Sequence, residues 1–494
     1  MIPVCAGLAV AAAVLLSGGP AAAGAWDVPA EGSCVPSDGL RGWPIGEDAP
    51  PIPFRPGDVV GHEQLAMLGN YLPEAIWQYR ERFFFEGMRL EIGPCFRDYA
   101  PAAFFAEATA KFAGRARLTD DGGLEGYTAG LPFPPGSIDP ADPDAGQKWA
   151  WNVAQRYQAG GMFADDFRIS DLVGRVGRAE PFVGRIFKIQ MGHRADQAGK
   201  DYQAKGAKGM HWVAGGRFEE PQPAREFAWR QFRDVAHETQ PERSDELHAY
   251  LPEWRRVRRL NAALVEGLYL PSFSVGTVPA KTLAVAIGGG GEFGAGGAAA
   301  AGGVGGAGAT TIQTKRSGFE GLEARPLLYD NRVLGVQDVL APLNGATAMY
   351  PETEERSFGP WGLSFANDRW DLRRALVIEG RAKDVAGGKH TARFIKYVDL
   401  QTLHPLYYVA YDVKDEIVDL GMFAGRWSED REGYPRWPDD PERPVRVIDS
   451  MGAAFANLAE DGSWRRESWT LNGIPPEDKK IRRLISVGNL TKGR

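Results

Sequence analysis

From about residue 165 the chain becomes a series of short β-rich runs separated by turn residues. In the run 370–381 hydrophobic and polar positions alternate, because most of its apolar side chains share one parity and most of its charged side chains share the other. Such alternation predicts a β-strand with one face in a core and the other in water. Comparable short runs, separated by turn residues, are 183–190, 227–235, 254–260, 393–400, 406–413 and 417–423.

Helical spacing is found in two shorter stretches. Apolar residues recur every three or four positions over 63–85, which predicts a helix, and Pro73 predicts a break inside it. A second short helix is predicted over 144–157, whereas 86–135 has the punctuation of strands and turns. Tight turns at 399–402 and 414–415 imply antiparallel neighbours. The predicted class is therefore α+β, dominated by a large antiparallel sheet.

The N-terminal segment has the pattern of a cleavable secretory signal. Residues 4–16 form an uncharged apolar run, a Ser-Gly-Gly-Pro break follows, and small residues stand around position 23. The run is shorter than the about 20 apolar residues that cross a bilayer as a helix, so an uncleaved anchor is the less favoured alternative. We expect residues 1–23 to be removed and the remaining protein to be exported and soluble.

Export makes the cysteines informative. Cleavage near residue 23 removes Cys5 and leaves Cys34 and Cys95. A single cysteine pair in an exported protein favours a disulfide, which would fasten the N-terminal arm to the body. Two unpaired thiols are the alternative, because the sequence does not reveal the distance between them.

The remaining chain divides into regions of different composition. Residues 24–60, rich in Pro, Gly and Asp, are predicted to form an extended arm, 61–480 a single large β-rich domain, and 481–494 a C-terminal tail. The Gly/Ala tract 288–309 has almost nothing to bury, which predicts a disordered surface loop inside that domain.

Composition and motifs narrow the function by exclusion. The 57 Lys+Arg against 64 Asp+Glu give a net charge of −7, without the basic excess that phosphate contacts need, so nucleic acid is not an expected partner. The G-x-G-x-x-G matches lie in the 288–309 tract and lack the helix and acidic residue of a dinucleotide site. The histidines form no H-E-x-x-H motif, and Ser364 lacks the second glycine of a nucleophile elbow. We therefore predict no catalytic residue, metal or cofactor, and keep a secreted hydrolase as an alternative.

Apolar side chains on the predicted strands supply candidates for a hydrophobic ligand cavity. A curved sheet would place them on its concave face, and small-ligand pockets are mostly apolar. An ordinary filled core is the alternative, because aromatic residues dominate cores as well. The candidates are Trp229, Trp254, Trp370, Leu372, Ile378, Phe394 and Tyr408.

A local basic cluster lies in the predicted strand 254–260. Its members are Arg255, Arg256, Arg258 and Arg259. Charged side chains protect an exposed strand edge from unwanted pairing, which is one interpretation. The other is a docking patch for an acidic partner or a lipid headgroup.

Four long strings resemble a known family. The chain is similar over roughly 60–475 to exported proteobacterial proteins catalogued as a domain of unknown function, DUF1329, and often labelled outer-membrane lipoprotein-sorting protein. The strings are FFFEGMRLEIGPCFRDYAP (83–101), KFAGRARLTDDGGLEGYTAGLPFP (111–134), GLEARPLLYDNRVLGVQDVLAPLNG (321–345) and SFGPWGLSFANDRWDLRRALVIEGR (357–381).

The resemblance implies a half-open antiparallel β-barrel with helices over its mouth, similar to the periplasmic lipoprotein carriers LolA and LolB. Those carriers shelter acyl chains between sheet and helices. The resemblance also implies a periplasmic location, with an inner-membrane lipid-exporting pump or an outer-membrane protein as partner. We therefore expect a non-enzymatic protein that binds or carries a lipid or other hydrophobic ligand. A non-catalytic scaffold of a cell-envelope complex is the alternative.

Overall fold

A computed structural model describes most of the chain. The described residues are 26–34, 52–173, 181–197, 199, 208–252, 255–260, 267–275, 310–313, 323–344, 357–383, 391–458 and 462–492. The predicted signal 1–23, Trp254 and the tract 288–309 lie outside them.

One sheet of 15 strands dominates the described residues. Its strands are β1 (Val59–Val60), β2 (Leu90–Cys95), β5 (Gly161–Val173), β6 (Phe182–Gln190), β7 (Met210–Glu220), β8 (Ala228–Asp234), β9 (Glu246–Leu251), β10 (Arg256–Leu260), β13 (Tyr329–Ala341), β14 (Arg369–Ala382), β15 (Arg393–Asp399), β16 (Pro405–Tyr411), β17 (Ile417–Trp427), β18 (Ile448–Asn457) and β19 (Gly462–Glu467). Two separate ribbons are β3–β4 (Arg117–Leu118, Leu124–Glu125) and β11–β12 (Ser272–Val275, Thr310–Gln313).

The strand order confirms the predicted fold class. It runs β1-β2-β14-β15-β16-β17-β18-β19-β5-β6-β7-β8-β9-β10, with β13 on β14. The pairs are antiparallel except β2–β14, which is parallel, so the sheet is formally mixed. The turns predicted at 399–402 and 414–415 connect β15 to β16 and β16 to β17. The order has two ends, so the described sheet is open rather than closed into a ring.

Helices are few and short. They are α1 (Glu74–Gln78), α2 (Ala103–Phe112), α3 (Ala145–Ala154) and α4 (Asp478–Leu484), joined by 3-10 turns of which the longest is His62–Tyr71. The predicted interruption at Pro73 is confirmed, since the 3-10 helix ends at Tyr71 and α1 begins at Glu74. The expectation of strands and turns over 86–135 missed α2. Within the described part of the chain, no helix has the length and apolar character needed to cross a membrane.

The sheet curls until its two halves meet. Arg233 on β8 donates a hydrogen bond of 2.7 Å to the carbonyl oxygen of Glu323, which lies just before β13. In a flat sheet the ten steps from β13 to β8 would cover about 48 Å. The six residues from Glu323 to Tyr329 span about 20 Å at most. The contact therefore requires strong curvature, with an inside and an outside.

Apolar residues cover both faces of this curled sheet. On the outside, the segment 54–99 packs against β14–β18, and α4 packs against β5–β7. On the inside, α3 covers part of β13–β15. The two halves of the sheet share the rest of the inside, which we call the inner cluster. Its large members include Phe167, Phe218, Trp229, Tyr269, Tyr329, Phe394, Tyr408, Phe423, Phe455 and Trp464.

The prediction that 370–381 has one face in water is wrong. Strand β14 is buried on both faces from residue 370 to residue 380. Its charged side chains are buried with partners: Arg373 donates to Asp399 at 2.6 Å, and Asp371 accepts from the Tyr99 hydroxyl. Buried charges persist only when they are paired in this way. The segment 54–99 supplies the second layer, which the alternation within one strand does not reveal.

Both ends of the described chain are attached to the sheet. Cys34 and Cys95 form a disulfide, which joins the arm to the end of β2. Residues 478–492, most of which were predicted to form a tail, are instead largely helical. Ile481 and Leu490 are buried against the sheet. Apolar side chains spaced for one helical face explain this docking.

Candidate ligand-binding interior

The structure divides the predicted cavity residues among three apolar clusters. Six of the seven are described, and all six are at most 3% exposed. Trp229, Phe394 and Tyr408 lie together in the inner cluster. Ile378 lies under α3, and the remaining pair, Trp370 and Leu372, packs with the segment 54–99. The curvature thus brings three of the candidates together and separates the others.

Aromatic rings fill the inner cluster at contact distance. Phe394 stacks on Tyr408 with ring centroids 5.7 Å apart, and Tyr329 meets Phe394 edge-on at 4.9 Å. Phe455 and Trp464 stack at 4.5 Å. Such contacts are typical of a packed interior. A ligand that uses this face must therefore displace protein side chains.

One short segment lies on the inner cluster without being a strand of the large sheet. We call residues 267–270 the cover segment. Its three side chains, Leu268, Tyr269 and Leu270, are at most 3% exposed and belong to the inner cluster. The Tyr269 ring meets Trp229 edge-on at 6.4 Å. The cover segment thus completes the inner cluster without being one of the strands of the large sheet.

Gln231 on β8 holds the cover segment through polar contacts. Its amide nitrogen donates to the carbonyl oxygen of Gly267 at 2.8 Å, and its amide oxygen accepts from the backbone N–H of Tyr269 at 2.8 Å. The same nitrogen donates to Asp245, which Arg233 binds with two hydrogen bonds of 2.8 Å. All three side chains are buried, so the anchor is rigid.

The hydroxyl of Tyr269 has no hydrogen-bond partner among the described residues. Burial alone raises the pKa of this phenol, so it is a neutral O–H in an apolar setting. A buried hydroxyl without a partner costs about 1–3 kcal/mol. The cover segment is thus held less favourably than its apolar contacts suggest.

A cavity of about 60 Å³ lies beside the cover segment. Leu268, Met162 and Leu471 line it from the inner cluster. The rest of the lining is more polar and includes Arg156, Lys188, Glu323, His404, Arg446, Asp449 and Ser450. The volume is well below the roughly 300 Å³ of typical small-ligand pockets. The cavity accepts a small polar group, not an acyl chain.

Buried charges converge next to this cavity. Lys188 on β6 donates to Glu323 at 2.5 Å and to Gln158 at 2.6 Å, and Arg156 reaches Glu323 at 3.4 Å. Burial lowers the pKa of Lys188 to about 8, against the opposing pull of Glu323. Although burial opposes ionisation of Glu323, the combined effect of Lys188 and Arg156 lowers its pKa, so this carboxylate is charged.

Two further buried groups face the same cavity. Burial raises the pKa of Asp449 to about 7, although Tyr434 and Arg431 both contact it and act in the opposite direction. Burial, with a contribution from Arg156, lowers the pKa of His404 to about 3. The imidazole is therefore neutral, and its Nε2 has no partner among the described residues.

The sequence pattern did not identify the residues of this cavity, because they lie far apart along the chain. Nothing in the spacing of Arg156, Lys188, Glu323 and His404 indicates that they meet. His211 and His237 are buried with their rings stacked at 5.0 Å. The described residues contain no group of three His, Cys, Asp or Glu arranged to hold a metal ion.

The basic cluster lies on β10, which ends the strand order. Arg255, Arg256, Arg258 and Arg259 are all exposed, and Arg259 lies 3.9 Å from Glu246 on β9. Charged side chains on the last strand of a sheet protect its exposed edge from pairing with another chain, which is one of the two interpretations given above. A docking role for the four arginines stays a prediction.

Comparison with known proteins gives a family match and several weak structural similarities. No protein of curated function matches this chain. An outer membrane lipoprotein-sorting protein domain from Vibrio parahaemolyticus is 14% identical, over 70% of this chain and all of its own, with a TM-score of 0.37. A DUF1329 family protein from Desulfovibrio piger is 13% identical over 71% and 100%, with a TM-score of 0.39.

A LolA superfamily protein from Nitrosomonas europaea is 10% identical over 67% of this chain and 92% of its own, with a TM-score of 0.29. These similarities are too low to support an argument about function. The family model described as protein of unknown function (DUF1329) matches residues 68–267 and 308–430, well over half of the chain. The chain therefore belongs to the DUF1329 family.

Proposed function

We propose that the protein binds a lipid or another hydrophobic ligand on the inner cluster, in place of the cover segment, and carries it in the periplasm. One observation supports this most. The apolar inside of the curled sheet is completed by three side chains of a segment that is not one of the strands of that sheet. A ligand that replaces them leaves the strand pairing intact.

The apolar contributions to the exchange are comparable, and displacement also costs the two hydrogen bonds between Gln231 and the cover segment, at about 0.5–1.5 kcal/mol each. Burying the side chains of Leu268, Tyr269 and Leu270 contributes about 5–8 kcal/mol. An acyl chain of about ten methylenes gains about 8 kcal/mol by the same measure. The unpartnered hydroxyl of Tyr269 further favours displacement. Binding by exchange therefore needs no large cavity in the unliganded protein.

The disulfide and the N-terminal pattern together support this location. A bond between Cys34 and Cys95 persists in oxidising compartments such as the periplasm. The apolar run 4–16 has the character of an export signal. A hydrophobic molecule that crosses the aqueous periplasm needs a shelter, and an exchangeable apolar face provides one.

Analysis of the native protein tests the proposal directly. We expect organic extraction of protein purified from its own envelope to release a lipid in near one-to-one amounts, identified by mass spectrometry. Refolding after extraction should restore binding of N-phenylnaphthylamine, a dye that fluoresces in apolar surroundings. A protein that carries no lipid and binds no dye would contradict the proposal.

Leu268→Ala and Tyr269→Ala test the role of the cover segment. Each shortens a side chain on the inner cluster, so we expect severalfold higher affinity for the dye, with a loss of about 2–5 kcal/mol in stability. Leu490→Ala is the matched control, because Leu490 is equally buried but packs with Ala228 and Tyr250 in a separate cluster. An equal rise in dye binding in all three variants would show general loosening instead.

A further inference from the structure

The cavity beside the cover segment combines two kinds of lining. Leu268, Met162 and Leu471 connect it to the inner cluster. On the other side it is lined by ionisable groups. A ligand with a chain on the inner cluster would therefore bring one of its ends to this cavity. The charge, the hydrogen-bond donors and the size of the cavity then determine which head group the ligand can have.

Positive charge outweighs negative charge around the cavity. Its described lining includes three cations, Arg156, Lys188 and Arg446, and two acids, Glu323 and Asp449. Asp449 is only partly ionised near neutral pH, because burial raises its pKa to about 7. The balance at neutral pH favours a negatively charged guest.

Lys188 has a donor to spare. Its ammonium has three N–H groups, and its hydrogen bonds go to Gln158 and Glu323. The side chain is 95% buried, so water does not readily satisfy the third N–H. A carboxylate oxygen in the cavity would accept that hydrogen bond.

His404 offers a second polar atom on the cavity lining. It is 5% exposed, and its Nε2 has no partner among the described residues. In a neutral imidazole one ring nitrogen carries the proton, and the tautomer with Nε2–H would donate to an anion in the cavity. Two buried polar groups on one small cavity make it a built site rather than a packing defect.

The size of the cavity limits the head group. About 60 Å³ is a small volume that holds a few water molecules. A carboxylate is among the smallest anionic head groups and fits this space. We propose that the cavity receives the carboxylate of a fatty-acid-like amphiphile whose chain lies on the inner cluster in place of Leu268. This inference rests on the proposed function and names its ligand class.

Calorimetric titration of the delipidated protein with decanoate, decanol and acetate tests the inference. We expect decanoate to bind at least about tenfold more tightly than decanol, as a charge-assisted hydrogen bond to a buried group provides. Acetate should bind far more weakly than decanoate, because it lacks the chain. Acetate binding as tight as that of decanoate would indicate a site for small anions and would overturn the proposal that the ligand is an amphiphile.

Lys188→Met removes the spare donor. We expect the preference for decanoate over decanol to fall close to one, even though loss of the contact with Glu323 raises the affinity for both ligands. Lys148→Met is the matched control, because Lys148 also pairs with a carboxylate, Asp142, away from the cavity; it should keep the preference. His404→Leu provides a second test if Lys188→Met does not fold, and should reduce the preference severalfold.

The outcomes separate the inference from the proposed function. Equal binding of decanol and decanoate to the unaltered protein would overturn the carboxylate site and leave hydrophobic binding standing. A preference that survives in both Lys188→Met and His404→Leu would also overturn it. Failure of both decanol and decanoate to bind would contradict the proposed function itself.

Discussion

Asp371 and Asp449 are acids buried beside tyrosine hydroxyls. Tyr99 donates to Asp371, and Tyr434 donates to Asp449 at 3.1 Å. Burial raises the pKa of each acid to about 7, and this effect exceeds the opposing effect of the hydroxyl and of nearby arginines. Single side chains thus make the stability of this fold sensitive to pH in a range where the usual carboxylate does not titrate.

The direction of this pH dependence follows from linkage. The folded-state pKa of both acids lies above the ordinary value of 3.8, so folding favours the protonated form. Their contribution is fully present below pH 3.8 and is lost as the pH rises through about 7. We expect each acid to reduce the free energy of unfolding by a few kcal/mol over that interval.

Asp449→Asn tests this expectation, because the amide resembles the neutral acid and does not titrate. Urea unfolding between pH 4 and pH 8 should show a smaller loss of stability with rising pH than in the unaltered protein. Asp142→Asn is a contrasting control, since Lys148 lowers the pKa of Asp142 and its contribution is lost at acidic pH instead. Identical pH profiles for Asp449→Asn and the unaltered protein would contradict the assignment.

At the scale of elements, the two ends of the strand order differ. Strand β10 forms one end and presents three exposed arginines, and the exposed Arg255 directly precedes it. At the other end, β14 pairs with both β13 and the short strand β2, and β2 in turn pairs with the short strand β1. A carrier has to meet a donor and an acceptor, and a basic strand complements an acidic surface.

Reversing the charge of Arg255, Arg256, Arg258 and Arg259 to Glu tests docking through β10. We expect loss of the envelope partner in a pull-down with the full-length protein, with little change in unfolding free energy because all four side chains are exposed. Reversal of the exposed pair Arg117 and Arg115 serves as a matched control. If the same amount of partner is recovered after the charges of the four arginines are reversed, docking through β10 is contradicted and only the role of edge protection stands.

At the scale of the whole molecule, Glu323 joins the two halves of the curled sheet. Its side chain contacts Lys188 on β6, and its carbonyl oxygen accepts from Arg233 on β8. The chain then continues into β13 at the far end of the strand order. This contact holds the interior closed over the inner cluster. Opening the sheet must break it.

Glu323→Gln should weaken this closure. Loss of the carboxylate leaves Lys188 and Arg156 buried without it, so we expect about 3–5 kcal/mol lower stability and tighter dye binding. Asp338→Asn removes a comparably buried pair, with Arg374, between the neighbouring strands β13 and β14. It should lower stability without a gain in dye binding. Equal dye binding in the two variants would argue against the closing role of Glu323.

The local pattern of residues was sufficient to predict the fold class and part of the large sheet. Short β-rich runs between turns located the strands β6, β8 and β14–β17, and Pro73 marked the break between helical segments because proline lacks the N–H that a helix needs. Several boundaries were wrong by a few residues, since strand ends depend on neighbours. The helix α2 was missed among turn residues.

The candidate site depended on tertiary structure. Trp229, Phe394 and Tyr408 were predicted individually, but only the curvature of the sheet placed them together, while Trp370 and Leu372 pack with the segment 54–99 instead. The polar cavity had no sequence signal, since Lys188 and Glu323 meet across the curl and are far apart in the chain.

The amino-acid sequence alone was enough for the α+β class, the family resemblance and the strands β6, β8 and β14–β17, because these depend on neighbouring residues and their pattern, whereas the long strands β5, β7, β13 and β18 were not identified. Tertiary structure decided which faces are buried, which charges are paired and what the interior can hold. The physical reason is that burial depends on the layer that packs against a strand, and that layer comes from distant parts of the chain. Strand β14 illustrates both, because its pattern marked a strand while the segment 54–99 buried the face expected in water.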